Sequence, residues 1–157
     1  MNDKGFTLIE VIAVIAIMGL LAIIITPNVI KVLEQGQQKS YDIMINNIVI
    51  ASKNFYEECK YGDIKEDDGS KMICEKEVNI TLGELVNLGF LTGINKEVCN
   101  NNECTTKKVI INPKNNIDIS NCNVTIKVDN NNGKVIYEVI GNDDNKNCPN
   151  NKLGSIN

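Results

Sequence analysis

A long uncharged apolar run near the start of the chain constrains its fold more than any other feature. Every residue from 11 to 25 is apolar or glycine. Extended back to Phe6, the run is about 20 residues long, and as a helix it would span roughly 30 Å, the thickness of a bilayer core. A cleaved secretory signal fits poorly, because no small-residue cleavage site follows and helix-forming sequence continues after Pro27. The sequence therefore predicts an apolar helix that spans a membrane.

One acidic residue, Glu10, lies near the beginning of this run. A charge at the centre of a bilayer costs about 2.5–3.5 kcal/mol on insertion scales, so an acid in such a segment indicates a functional site by default. Glu10 would lie shallower than mid-span, where this cost is smaller, and an acid in the first turn of a helix gains from the helix dipole. The alternative is an acid that is merely tolerated at the membrane interface.

The apolar period of a helix continues beyond the run. The pattern predicts one helix from about residue 6 to about residue 58, membrane-embedded in its first half and amphipathic in its second. Pro27 lacks a backbone N–H and Gly19 has a low helix propensity, so we expect a kink or a weak point at each. Apart from Gln37, the residues on the recurring face after Pro27 are Ile30, Leu33, Tyr41, Met44, Ile48, Ala51 and Phe55.

The remainder predicts a small head of fold class α+β, with an antiparallel β-sheet packed on the amphipathic half of the long helix. Gly62 ends that helix, and residues 63–76 read as a charged loop. A short helix then begins at Thr81, a good capping residue, and stops at Gly89.

Strand patterns follow in the second half of the chain. They lie at residues 108–111, 123–128 and 134–139. Residues 129–133 are rich in asparagine and glycine, which predicts a hairpin turn between the last two strands. Residues 141–157 are polar, and we expect an irregular tail there that is held by Cys148 alone.

Six cysteines lie beyond the apolar run, and disulfides explain them better than zinc. An even number fits an oxidising compartment, and the chain has neither a C-x-x-C motif nor a histidine. Sequence alone leaves about 15 pairings open. Proximity and the expected topology favour Cys59 with Cys74, Cys99 with Cys104, and Cys122 with Cys148.

Composition disfavours several function classes. The net charge is −4 and the isoelectric point is about 4.9, which does not indicate a nucleic-acid binder. There is no histidine to act as a general base, no G-x-S-x-G motif and no phosphate-binding glycine pattern, so we expect neither an enzyme nor a cofactor. Calcium at residues 143–147 is an alternative, although no glutamate closes that loop. The main expectation is therefore no metal site.

The N-terminal residues resemble a known family. The chain has a glycine–phenylalanine junction, an acid four residues later and a long apolar stretch that ends near Pro27. This pattern is similar to the N-terminus of type IV prepilins and pseudopilins. Beyond this part the resemblance is one of architecture, apart from residues 81–91, which resemble a segment of Gram-positive pilins more loosely. The residues that carry the main resemblance are Gly5, Phe6, Thr7, Leu8, Ile9 and Glu10.

The resemblance implies a processing pathway and a role for each of these residues. Residues 1–5 would be a leader, residues 6–30 the transmembrane and filament-core half of the helix, and residues 31–157 a globular pilin head. A prepilin peptidase would cleave between Gly5 and Phe6 and methylate the new amino terminus on Phe6. Glu10 would neutralise the amino terminus of a neighbouring subunit.

These implications predict a structural subunit of a type IV pilus. It would cross the cytoplasmic membrane once before assembly and then form a cell-surface filament with other pilins, driven by a membrane platform and an assembly ATPase. Lys4 and the initiator amine favour a cytoplasmic leader. The alternative is a pseudopilin of a type II secretion-like or competence DNA-uptake machine. Glu10 argues against a membrane-anchored adhesin that never polymerises.

Overall fold

The computed structural model describes residues 7–62, 64, 74, 76–100, 103–131, 134–141, 147–149 and 151–156. The predicted leader, with Gly5, and Phe6, the predicted first residue of the mature chain, lie outside the described residues, as does most of the predicted loop over residues 63–76. The chain divides into two compact units, Met1–Lys39 and Ser40–Asn157. The expected domain boundary after residue 30 stays a prediction.

One helix, α1, runs over Leu8–Tyr61 and contributes to both units. It ends where predicted, because Gly62 adopts a φ of 74°, which an L-residue with a side chain rarely adopts, and the Gly62 N–H donates to the Cys59 carbonyl at 2.9 Å. The backbone is helical through Gly19 and Pro27. The kink expected at these two positions stays a prediction.

In the first unit, α1 carries exposed apolar side chains on all sides. Their exposed fractions lie between 46% and 80% in the described parts of residues 8–33. Within the described part of the chain, no helix is both long enough and apolar enough to cross a membrane.

The second unit contains the sheets and the second helix. Its elements in chain order are β1 (Glu77–Thr81), α2 (Leu82–Asn87), β2 (Ile94–Asn100), β3 (Glu103–Val109), β4 (Asn123–Asn131), β5 (Lys134–Gly141) and β6 (Asn151–Ile156). Four strands form an antiparallel sheet in the order β1-β4-β5-β6, and β2 pairs with β3 in a separate two-stranded ribbon. The predicted α+β fold class is confirmed.

The core of the second unit lies between α1 and the inner face of the four-stranded sheet. The Phe55 ring meets the Phe90 ring edge-on at 5.7 Å, and Tyr56 meets Tyr137 at 5.8 Å. Burying such side chains contributes about 1.5–3 kcal/mol each. The spacing on α1 and the alternation along β1, β4 and β5 therefore place one apolar face of each element in this core, which includes Ile48, Phe55, Cys59, Ile80, Val124, Ile126 and Val139.

Helix α2 and the β4–β5 hairpin form as predicted. Thr81 caps α2, and Gly89 follows its end with a φ of 87°. Strands β4 and β5 extend further than expected, since Asn131 pairs with Lys134. The two turn residues that remain, 132 and 133, lie outside the described residues.

The strand predicted at residues 108–111 is wrong in its bounds. Strand β3 begins at Glu103 and ends at Val109, and Ile111 makes only an isolated bridge to Asp118. The apolar pattern gave the wrong bounds because most of β3 is exposed on both faces, so its sequence shows no apolar alternation. Its apolar end lies where the chain leaves the ribbon for the core.

Three further strands, β1, β2 and β6, were not predicted. Strand β1 directly precedes α2, β2 pairs with β3, and β6 pairs with β5, with a register irregularity between Val139 and Ile140. The expectation of an irregular tail over residues 141–157 is therefore wrong for residues 151–156. Strand β6 is a polar edge strand, with Leu153 and Ile156 packed against the core, and edge strands of this kind lack the alternation that reveals a strand.

Candidate functional site

Glu10 closes a reciprocal set of hydrogen bonds with Thr7 at the beginning of α1. The Thr7 backbone N–H and hydroxyl donate to Glu10 Oε2 at 2.8 and 2.9 Å, and the Glu10 N–H approaches Thr7 Oγ1 at 3.4 Å. This is a capping box, in which the residue before the helix and the third helical residue satisfy each other's free N–H groups. The carboxylate therefore fixes where the helix begins.

The same arrangement occurs a second time in the chain. At α2, the Thr81 N–H and hydroxyl donate to Glu84 Oε2 at 2.8 and 2.9 Å, and the Glu84 N–H donates to Thr81 Oγ1 at 3.1 Å. Both caps follow a Thr-Leu-x-Glu sequence. The similar geometry of the two boxes indicates that the cap at α1 is a local property of the sequence.

The cap leaves Glu10 with capacity for another partner. The two hydrogen bonds from Thr7 to its carboxylate both end on Oε2, and no described residue donates to Oε1. An ionised carboxylate has about four acceptor positions. Glu10 is exposed, and its apolar neighbours Val11, Val14 and Ile15 line an open recess beside it. The site thus presents one unoccupied carboxylate oxygen in apolar surroundings.

Sequence reasoning identified Glu10 but missed Thr7 as its partner. The Thr-x-x-Glu spacing ahead of an apolar run is the pattern that would have revealed it. Gly5 and Phe6 lie outside the described residues, so their predicted roles stay predictions. Gly19 has no atom within 4 Å of the position that a Cβ would occupy.

Three disulfides join the pairs that proximity favoured. Cys59–Cys74 ties the end of α1 to the segment before β1, Cys122–Cys148 ties the start of β4 to the chain before β6, and Cys99–Cys104 joins β2 to β3. The Cys99–Cys104 disulfide links two paired strands and not only the ends of a loop, because Cys99 and Cys104 are directly opposite in the strand register.

Among the described residues, no group of three or more cysteine or acidic side chains could hold a metal ion. Most of the alternative calcium loop at residues 143–147 lies outside the described residues. Its last residue, Asn147, accepts hydrogen bonds from Asn112 Nδ2 and Asn115 Nδ2, each at 3.2 Å. These two oxygens of Asn147 are therefore engaged within the head.

Comparison with known proteins supports the expected resemblance at the N-terminus. Residues 1–26 match the family model of the prokaryotic N-terminal methylation motif. The type IV major pilin protein PilA of Myxococcus xanthus (strain DK1622) is 37% identical over 69 residues, which are 43% of this chain and 31% of that protein.

A ComG operon protein 3 homolog of Bacillus licheniformis is 42% identical over 48 residues, which are 31% of this chain and 50% of that protein. The chain thus spans a third to a half of the curated relatives it matches. No solved structure matches significantly. The similarity to type IV pilins and pseudopilins, expected from the opening residues, is confirmed by these matches.

Proposed function

We propose that this chain is a structural subunit of a type IV pilus, cleaved after Gly5, methylated on Phe6 and polymerised through the first half of α1. The observation that carries the proposal is the Thr7–Glu10 cap, which lies inside the matched methylation motif and begins a helix of exposed apolar side chains. Exposed apolar surface costs about 25 cal/mol per Å² in water. A lipid bilayer, and later other copies, would cover it.

Before assembly the apolar half of α1 anchors the chain in the cytoplasmic membrane, with the leader on the cytoplasmic side. A membrane-embedded prepilin peptidase cuts the Gly5–Phe6 bond and methylates the amino group of Phe6. Lipid is itself apolar, so moving the helix from the membrane into a filament buries little additional apolar surface from water and gives little driving force. A membrane platform and a cytoplasmic ATPase would therefore supply the work of extraction.

Glu10 has two tasks in this mechanism. Oε2 keeps the capping bonds to Thr7, and Oε1 accepts the charged amino terminus of Phe6 from a neighbouring subunit. A carboxylate and an ammonium group stabilise each other in an apolar core, whereas either charge alone is strongly disfavoured there. The pair would therefore also fix the axial register between subunits.

The capping box makes Glu10→Gln the sharpest test, because glutamine can cap a helix at this position but carries no charge. We expect normal processing and at least tenfold less Glu10→Gln subunit in sheared surface filaments, measured by immunoblot. Thr7→Ser is the matched control. It keeps the capping hydroxyl and leaves the Glu10 carboxylate unchanged, so it should assemble normally. Wild-type amounts of the Glu10→Gln subunit in filaments would refute the charge pair.

Processing is tested separately. Mass spectrometry of the mature chain from cells should find methylated Phe6 as the first residue. A chain that still begins at Met1 in cells containing the peptidase would contradict the assignment, whatever the assembly result.

A second candidate function is favoured by the similarity to a ComG operon protein 3 homolog. The chain would then be a pseudopilin in a short filament that serves DNA uptake or protein secretion. Electron microscopy with an antibody to residues 76–100 distinguishes the two. Labelling along long surface filaments supports the pilus, and labelled filaments that never extend beyond the envelope support the pseudopilin.

A further inference from the structure

Two strands of the head, β1 and β3, each have a free edge. Strand β1 lies at one side of the four-stranded sheet, and β3 has β2 as its partner on one side. In the part of the chain that the structure describes, no strand pairs with the other side of either. A free strand edge presents a row of unpaired N–H and C=O groups, which pair readily with another chain. Each head therefore carries two different edges that can accept a further strand.

The backbone pairing of β1 shows which of its residues face the free edge. The Val128 N–H donates to the Lys76 carbonyl at 2.9 Å, so residue 76 bonds toward β4. Because this direction alternates along an antiparallel strand, the backbone groups of Glu77, Asn79 and Thr81 point away from β4. The Thr81 N–H is already used in the cap of α2. No described residue bonds to the outward backbone groups of the other two, so both are available for pairing.

The same reasoning identifies the residues at the free edge of β3. Cys99 and Cys104 lie directly opposite each other with Cα atoms 4.0 Å apart, which is the close spacing of a pair that exchanges no hydrogen bonds. The backbone groups of Cys104 therefore point away from β2, and by alternation so do those of Thr106 and Lys108. The Ile110 carbonyl continues this pattern, since it accepts a hydrogen bond from outside the ribbon. Both Thr106 and Lys108 are exposed.

Charge makes these two edges complementary. Glu77 on β1 lies directly opposite Lys127 on β4, which lies directly opposite Glu138 on β5. Lys108, placed on the free side of Glu77, would continue this row with alternating sign. Opposite charges on neighbouring strands contribute about 0.2–1 kcal/mol per pair, and like charges there are destabilising. The charge row thus favours β3 as the strand that joins β1.

The other free edges do not offer this match. Three residues of β2, at positions 95, 97 and 99, have the backbone orientation to lie opposite Glu77, and none of them is basic. Strand β6, the other edge of the sheet, carries Lys152 and no acid, so it offers no partner for Lys108. The β1 and β3 strands of one chain are not paired with each other. The complementary strand therefore comes from a second copy.

We propose that β3 of one copy of this chain adds to the free edge of β1 of a second copy, antiparallel, with Lys108 beside Glu77 and Thr106 beside Asn79. This inference rests on the proposed filament function and deepens it, since it assigns a strand-to-strand contact between neighbouring subunits. Backbone hydrogen bonds at these two residue pairs hold the strands together. The two edges are different surfaces, so the contact is heterologous and can repeat from copy to copy without closing.

The first test exchanges the charges in the full chain. Lys108→Glu and Glu77→Lys should each lower the amount of subunit in sheared filaments about threefold, because each creates a like-charge pair. The double variant Glu77→Lys/Lys108→Glu restores opposite charges and should assemble to within about twofold of wild type. Normal assembly of both single variants, or no recovery in the double variant, would overturn the proposal.

Lys107→Glu is the matched control for these substitutions. Lys107 is next to Lys108 in sequence, so its side chain lies on the opposite face of the ribbon, where it is directly opposite Lys96. The substitution changes the charge of the ribbon by the same amount and should leave assembly at the wild-type level. Intact disulfides and an unchanged unfolding temperature verify that each variant is folded.

The second test identifies the neighbouring groups by carbodiimide crosslinking, which joins a carboxylate to an amine only where the two are in contact. Mass spectrometry should find a Glu77–Lys108 link in sheared filaments and none in the monomeric chain in detergent. The Glu77–Lys127 pair, 3.3 Å apart within one head, should be linked in both samples and is the internal control. Filaments without the Glu77–Lys108 link, or the same link in the monomer, would overturn this contact and leave the filament function standing. If wild-type chains form no filament, the proposed function itself fails.

Discussion

At the scale of single residues, Gly93 is a position that has no room for a side chain. A Cβ there would lie 2.9 Å from Val86 Cγ1 and 3.1 Å from the Val109 carbonyl oxygen, and both neighbours are buried. Gly93→Ala should therefore destabilise the head by about 1–3 kcal/mol through overpacking. Thermal unfolding of the full chain in detergent measures this. Gly36→Ala, in a helical position with open space, should leave stability unchanged or raise it.

The two capping boxes allow a direct check of the chemistry assumed for Glu10. Thr81→Val removes the capping hydroxyl of α2 and should cost about 1 kcal/mol in the free energy of unfolding. Glu84→Gln should cost much less, because the amide oxygen of glutamine can also accept from the Thr81 N–H and hydroxyl. Denaturant unfolding compares the two. If Glu84→Gln were as costly as Thr81→Val, glutamine would not preserve the cap, and Glu10→Gln would no longer isolate the charge.

At the scale of elements, the β2–β3 ribbon stands apart from the sheet. Most of its side chains are exposed on both faces, and Lys96 is directly opposite Lys107, an unfavourable like-charge pair. A lone two-stranded hairpin is marginally stable in water. The Cys99–Cys104 disulfide, whose Cα atoms are 4.0 Å apart, therefore holds the ribbon in register.

The exposure of this disulfide leads to a prediction about reduction. Cys99 and Cys104 are exposed, whereas Cys59, Cys122 and Cys148 are buried. A mild reductant should open Cys99–Cys104 first, and the amides of β2 and β3 should then exchange with solvent at least tenfold faster. The β4–β5 amides should keep their protection. Thiol alkylation read by mass spectrometry measures the opening of the disulfide, and hydrogen exchange measures the protection of the amides. Simultaneous loss of protection in the β2–β3 and β4–β5 amides would contradict an independent ribbon.

The elements that sequence predicted well are those whose burial leaves a pattern. Helix α1 shows a helical apolar period, α2 has Thr81 and Gly89 at its ends, and β4 and β5 alternate around an Asn-Gly turn. Strand β6 and the β2–β3 ribbon are held by backbone pairing, a disulfide and a few side chains, so their sequences resemble loops. Glu10 was identifiable because a charge in an apolar run is costly, whereas Thr7 required attention to helix caps.

At the scale of the whole molecule, the head has two unlike surfaces. The outer face of the sheet carries the ion pairs Glu77–Lys127 at 3.3 Å and Glu138–Lys152 at 2.7 Å. Exposed pairs of this kind contribute about 0–1 kcal/mol each, so their main effect is a well-hydrated face. The open depression beside the Ser40–Ala51 part of α1 is lined by no charged side chain. This asymmetry fits a subunit with one side against neighbours and the other in water.

The head should also fold without the first unit, because all the described residues of its core come after position 43. A shortened chain that begins at Ser40 should unfold cooperatively, with the three disulfides paired as in the full chain, by circular dichroism and disulfide mapping. A chain that begins at Ser52 is the matched control. It lacks Ile48 and Val49, which are buried in the core, and large core truncations cost about 2–5 kcal/mol each, so it should be unfolded or molten. If the Ser40 chain were equally disordered, the head would depend on the apolar half of α1, and the division into two units would not describe its stability.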